Sequence, residues 1–422
     1  MTDIVLMKKR KSNMKLFPIY QMIGLDYIFY YAIQVLFLTQ VKGISDANIV
    51  LASSIYAFSS IIVQVPISLF VDKVGKRNAL VIGNLLNVFC MIIVMICPNF
   101  IWYVIEECIN AIAFGIKNVT ESSLLNSSIP ECKSKSDIFT KIHSKGYSKY
   151  YYISAISTFV CGMLYDINPY IPIVLCITFC ILGTIISTRL FEIDNINHNS
   201  EKVKYVQDLK SAFSFILKSN RLRSLLIMLG FIWGTLMLFG KYKITLLKDL
   251  NVSATYIGII SAILSIIMGK MSTLSNKFNE KYKNKTLTII GLMVTISFLL
   301  AGGISIMQIP FSLKISIIVI LYMIEAVSGG IHGVIQNRYI SNFAKPEILT
   351  KLYSANSIIS NLLRMLVEFI GTIILDKLNI KYAMIMAGIL FTVVMCLLYR
   401  YSKSKLGLKA EEYKKSDIVY ER

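Results

Sequence analysis

Long apolar runs, broken by short charged segments, set the pattern of this chain. A helix that crosses a bilayer needs about 20 mostly apolar residues, and twelve stretches meet that requirement. In the first half they fall near residues 16–40, 47–71, 79–98, 101–124, 147–165 and 168–190. In the second half they fall near 223–246, 254–275, 286–307, 315–337, 352–375 and 382–400. Both faces of these stretches are apolar, which predicts spanning helices rather than amphipathic ones lying on a surface. The expected fold class is therefore an all-α integral membrane protein with twelve transmembrane helices.

Charge changes this picture only by orienting it. Of 422 residues, 55% are hydrophobic and 16% charged, too few charges to cover the surface of a soluble protein of this length. Lys and Arg outnumber Asp and Glu by 44 to 24, a net charge of +20. On a soluble domain such an excess would suggest nucleic acid. Here the bases are sorted by loop. With the N-terminus inside, about thirty lie on one side, in "KKRKSNMK", "ECKSKSD", the 191–222 segment, "NKFNEKYKNK", the 338–351 loop and the tail. The other side holds about five: Lys42, Lys248, Lys314, Lys377 and Lys381. That split predicts both termini in the cytoplasm, a lipid bilayer as partner and no nucleic acid. The basic-then-apolar N-terminus has the look of a signal peptide. Its apolar run is long and lacks a small-residue cleavage site, so it is expected to stay as the first span.

Reaction chemistry has little support. The eight cysteines show no metal-ligand spacing, and His143, His198 and His332 show none either. Neither a phosphate-binding loop nor a nucleophile elbow is present, which argues against ATP-driven transport and against an enzyme. No cofactor is expected.

The chain repeats itself. "NAIAFGIKNVTE" (110–121) matches "EAVSGGIHGVIQ" (325–336), and "IFTKIHS" (138–144) matches "ILTKLYS" (348–354). "FVDKVGKR" (70–77) aligns with "FNEKYKNK" (278–285). All three offsets are about 210 residues, and each joins the same ordinal stretches of the two halves. The expected organisation is a six-helix half at 1–190, a cytoplasmic linker at 191–222, a second six-helix half at 223–402 and a cytoplasmic tail at 403–422.

The segment "SLFVDKVGKRNAL" then becomes recognisable. It resembles the signature between the second and third helices of the major facilitator superfamily, carried here by Ser68, Asp72, Lys73, Gly75, Lys76 and Arg77. Ser68 departs from the usual glycine. A short reversal needs the backbone freedom of Gly75, and the three bases hold the loop on the inner face. Asp72 ends a helix, where its charge opposes the dipole unless compensated. The resemblance implies that this motif works as a latch that breaks when the halves rock. It also implies a two-half, pseudo-symmetric fold and alternating access. Richness in Ile, Lys and Asn suggests an AT-rich bacterial genome, and the expected state is a monomer in a bacterial plasma membrane.

Charges inside the spans are the candidate functional residues, because each is costly at bilayer depth unless paired or wet. Asp26 lies near the middle of the first predicted span. The fourth carries Glu106 and Glu107 toward a wet outer boundary, then Lys117 and Glu121, four apart and able to neutralise each other. Lys149 falls in the fifth span, and Lys241 and Lys243 read as interfacial bases at the end of the seventh. Glu325 is central in the tenth span and could pair with Arg364 in the eleventh, where Glu368 follows one turn on. By the resemblance, Asp26, Lys117 and Glu325 take positions lining a central cavity. A desolvated carboxyl favours its neutral form, so Asp26 and Glu325 are candidates for proton coupling, with the proton gradient as driving force. Tyrosines at 27, 30, 31 and 150–152, with Trp233, suit an amphipathic ligand.

The expected function is secondary transport of a small solute, read as proton-coupled efflux of a drug-like or amphipathic compound. Drug–proton antiporters of the superfamily usually carry a Gly-Pro motif in the fifth helix and an arginine in the fourth. This chain has neither, so proton-coupled uptake of a small polar solute stays open. So does a sensor that binds a ligand without moving it.

Overall fold

The computed structural model describes residues 3–130, 135–193, 214, 216–217, 219–282, 285–343 and 346–406. Most of the expected 191–222 linker and of the 403–422 tail lies outside the described residues. No strand occurs among the described residues. The helices are α1 (Asp3–Gly24), the short α2 (Gln34–Leu36) running into a π-helical turn (Phe37–Val41), α3 (Asp46–Val74), α4 (Lys76–Ile96), α5 (Phe100–Ser128), α6 (Lys135–Ile167) and α7 (Tyr170–Thr188). They continue with α8 (Asn220–Asp249), α9 (Ala254–Tyr282), α10 (Thr286–Ile306), α11 (Phe311–Phe343), α12 (Pro346–Lys377) and α13 (Ile380–Leu406). Nine of these hold a described segment long and apolar enough to cross a membrane. The other three long helices are α1, α5 and α6; α5 carries Glu106, Glu107, Lys117 and Glu121, and α6 carries Lys149.

One expectation fails. The apolar run at 16–40 does not form one helix: α1 stops at Gly24, and helical structure resumes only at Gln34. Aromatic and β-branched residues crowd "LDYIFYYAI", and these are weak helix formers. Hydropathy registers such a segment as a span without registering the interruption.

The chain divides into two compact units. The first comprises Met1–Ile44, Ile62–Lys202 and Ser253–Ala262; the second comprises Ser45–Ile61, Val203–Val252 and Ile263–Arg422. Thus α3 and α9 each change unit along their length. In the first unit α1 packs on α5, α6 and α7, α4 on α5 and α7, and α6 on α7. In the second, α8 packs on α11, α12 and α13, α10 on α11 and α13, and α12 on α13. All six pairings of the first unit recur in the second when α1, α4, α5, α6 and α7 are set over α8, α10, α11, α12 and α13; the second adds α8 on α10 and α11 on α12. The recurring sequence segments make the same match, α5 with α11 and α6 with α12.

Two glycines show what the packing requires. Gly75 joins α3 to α4 with φ of 88°, a conformation that side chains other than hydrogen resist. The start of α4 is fastened to the end of α7 there: Arg77 donates its backbone N–H to Glu192 Oε2 (2.7 Å) and its Nη2 to the Thr188 carbonyl (2.6 Å). In the first unit α6 meets the start of α9 so closely that a Cβ on Gly162 would strike the Ala254 carbonyl. Small residues allow helices to approach in this way.

Candidate functional site

The interruption after α1 places Asp26 in an irregular turn rather than mid-helix. The freed backbone is held by tight turns, Ile28 N–H to the Asp26 carbonyl (3.0 Å), Tyr30 N–H to that of Tyr27 (3.2 Å) and Ile33 N–H to that of Tyr30 (3.0 Å). Phe29 has φ of 73°, which a bulky residue adopts only under constraint. Irregular backbone at membrane depth survives only where protein or a cavity covers its polar groups. Asp26 supplies part of that cover: Oδ1 accepts from the Tyr27 N–H (2.9 Å), while Oδ2 accepts from the Tyr150 hydroxyl on α6 (3.0 Å). The side chain is half-buried.

Around this turn the first unit carries a chain of hydrogen bonds between buried polar groups. Gln34 Nε2 donates to the Tyr103 hydroxyl (3.0 Å), and Tyr103 donates to Glu107 Oε1 (2.7 Å). The Tyr27 hydroxyl reaches Asn110 Oδ1 (3.1 Å) and Asn87 Oδ1 (3.3 Å). Asn110 in turn approaches Glu107 Oε2 at 3.5 Å. Glu106 and Glu107 are 2% and 6% exposed, so they belong to the interior and not to a wet boundary. Nothing in the hydropathy of α5 marks that depth, which comes from the neighbours packed on it.

Lys117 and Glu121 share a face of α5 but do not bond to each other. Glu121 accepts from the Tyr20 hydroxyl (2.9 Å), which receives Asn84 Nδ2 (3.2 Å). The Lys117 ammonium, on a residue 1% exposed, has no hydrogen-bond partner among the described residues. It lies 4.6 Å from the centre of the Phe114 ring, and Phe114 meets Tyr27 edge-on at 5.3 Å. Lys149, the remaining candidate base, is half-buried on α6.

The second unit treats its charges differently. Glu325 on α11 pairs with Lys243 on α8 (3.2 Å) and not with Arg364. Lys243 is therefore not an interfacial base, and neither is Lys241, whose ammonium donates to Ser53 Oγ (2.9 Å). Arg364 bonds Glu368 one turn on, with Nε to Oε2 at 3.2 Å, as the four-residue spacing predicts. Its Nη2 donates to the same Ser53 Oγ (2.7 Å), which itself donates to Glu368 Oε1 (2.9 Å). The guanidinium stands 5.1 Å from the Tyr56 ring centre. Ser53, Gln34, Asn87, Tyr103 and Asn110 escaped notice in the sequence because they are neutral. Their only signal was polarity within an apolar run.

Among the described residues the two units thus differ in balance. The buried acids of the second, Glu325 and Glu368, both meet bases. The first buries Glu106, Glu107 and Glu121, with Asp26 half-buried beside them, while of the candidate bases Lys117 is buried and Lys149 half-buried.

Comparison with known proteins follows the same division. Residues 224–418 match the family model of the Major Facilitator Superfamily. No curated protein matches the chain in sequence. In structure it is similar to the nucleoside transporter NupG, with a TM-score of 0.70 at 10% identity over 96% of this chain and 100% of that one. It is also similar to a bacterial homologue of the lysosomal transporter Spinster in an inward-facing, unoccupied conformation (0.69, 14% identity, 94% and 98% covered). A third is a POT family transporter bound to 5-aminolevulinic acid (0.67, 14% identity, 95% and 96% covered). At these identities the likeness is one of fold.

Proposed function

We propose, from the match of residues 224–418 to the Major Facilitator Superfamily and the fold shared with its solved relatives, that this chain belongs to that superfamily and is a secondary transporter, moving a small solute across a membrane by alternating access. The excess of carboxyl groups around the turn after α1 carries the reading of its driving force. A group of acids short of bases takes up a cation as part of its resting chemistry, and the proton is the smallest available. The coupling residues are then Asp26 and the α5 acids, while Glu325 with Lys243 and Glu368 with Arg364 are fixed pairs. The cargo is an amphipathic compound, exported in exchange for protons. Supporting this are the faces of Tyr27, Tyr31 and Tyr150 beside one carboxylate, a combination that suits an apolar body with a polar or cationic end. The protein sits in a bacterial plasma membrane with both termini cytoplasmic, a placement supported by the sorting of basic loops.

Liposomes holding purified protein and an internal pH-sensitive dye test this. A proton gradient is imposed, and amphipathic cations, antibiotics, peptides and sugars are added in turn. A solute-dependent proton flux is expected, lost in Asp26→Asn and retained in Glu325→Gln. Flux that survives unchanged in Asp26→Asn would remove the coupling role given to that carboxyl. Binding of a compound with no flux of any kind would point instead to a sensor.

A further inference from the structure

A small cavity of about 30 Å3 lies against the turn after α1, walled by every residue from Tyr27 to Ala32 and by Tyr150, Ser154, Ser157 and Thr158 of α6. It has room for about one guest of the size of water. We propose that this cavity binds a dehydrated monovalent cation, Na+ or Li+. The inference rests on the reading that cations drive this protein, and it names a second ion able to do so.

The polar part of the wall is hydroxyl and carbonyl oxygen, set among the apolar side chains of Ile28, Phe29 and Ala32. Helical bonding is interrupted from Leu25 to Ile33, and the Tyr27, Phe29 and Tyr30 carbonyls each accept one hydrogen bond there, which leaves each a second lone pair. Unwound carbonyls of this kind replace the water shell of alkali cations in other membrane proteins. Four hydroxyl-bearing side chains of α6 face them across the cavity. Asp26 stands one hydrogen bond behind the wall, through Tyr150.

The donors also select the ion. Hydroxyl and carbonyl oxygens favour a hard cation, and divalent ions are held by several carboxylates or keep a shell of waters. This cavity has one carboxylate nearby and space for neither a shell nor a large ion. That leaves Na+ and Li+ ahead of Ca2+, Mg2+ and K+.

Equilibrium binding to the purified, full-length protein tests the idea without any cargo. Thermal unfolding is followed while NaCl, LiCl, KCl or choline chloride is titrated, with ionic strength held constant by choline. A ligand of the folded state raises the midpoint in a saturable way. Such a rise is expected with Na+ and Li+ and not with K+. The apparent Kd should weaken at least tenfold in Asp26→Asn and in Tyr150→Phe, the second variant serving if the first does not fold. Equal effects of all four salts, or no effect of any, would overturn the site and leave a water in the cavity. So would a Na+ response unchanged in both variants. Proton-driven flux persisting without a Na+ response would defeat this inference and leave the transporter reading intact. A Na+ response without any flux would do the reverse.

Discussion

Lys117 holds an ammonium in the protein interior, 4.6 Å from the centre of the Phe114 ring. It is the buried base set among the acids of the first unit, and removing one partner from a buried group of charges leaves the others uncompensated. Lys117→Met is expected to cost about 3 kcal/mol, seen as a lower unfolding midpoint, while solute-dependent flux falls. A higher midpoint would show that the ammonium does not offset those acids. The pairs of the second unit should behave alike. Glu325→Gln leaves Lys243 with its charge but no counter-ion, a loss of about 3 kcal/mol, and adding Lys243→Met should recover most of it. A double-mutant cycle with no coupling would sever the pair. At this scale the sequence exposed the ionisable candidates, since charge in an apolar run is visible without a structure. It did not expose their partners. Glu325 and Arg364 lie at matching depth, but depth alone cannot say which faces of α8, α11 and α12 meet, and Lys243 turned out to hold the acid.

Among elements, the joint between α3 and α4 and the gap after α1 show how local sequence can be explicit or silent. Gly75 announced a reversal, and its φ of 88° is what that reversal uses. Gly75→Ala should cost about 2 kcal/mol through that angle, read as a lower midpoint with the helical content unchanged. Asp72, exposed in the last turn of α3, is the proposed latch. Asp72→Asn is expected to slow transport much more than it lowers the amount of protein in the membrane, and equal loss of both would reduce the motif to a topology signal. The gap after α1 had no such announcement. "YIFYYAI" offers no glycine, proline or charge, and its non-helical course is held from α6, where Tyr150 bonds Asp26 (3.0 Å) and Cys161 meets the Phe29 carbonyl (2.9 Å). Those contacts lie more than a hundred residues away in sequence.

For the molecule as a whole, the architecture was legible because a bilayer imposes length, polarity and loop charge on every span. The duplication was legible as well, and the recurrence of six helix pairings in the two units matches it. Orientation remains a matter of measurement: an epitope at either terminus should be reached by antibody only after cells are permeabilised, and labelling of intact cells would invert the topology.

The exchange of helix ends between units bears on how the chain can be divided. Residues 45–61 lie in the N-terminal part of the gene but are counted with the second unit, and residues 253–262 lie in the C-terminal part but are counted with the first. A gene cut at the linker would therefore yield two products, each missing a piece of its own body and carrying a piece of the other's. Neither product should accumulate when made alone, and making both together should rescue both. The duplicated ancestry of the chain would then survive in its pattern but no longer in its independence.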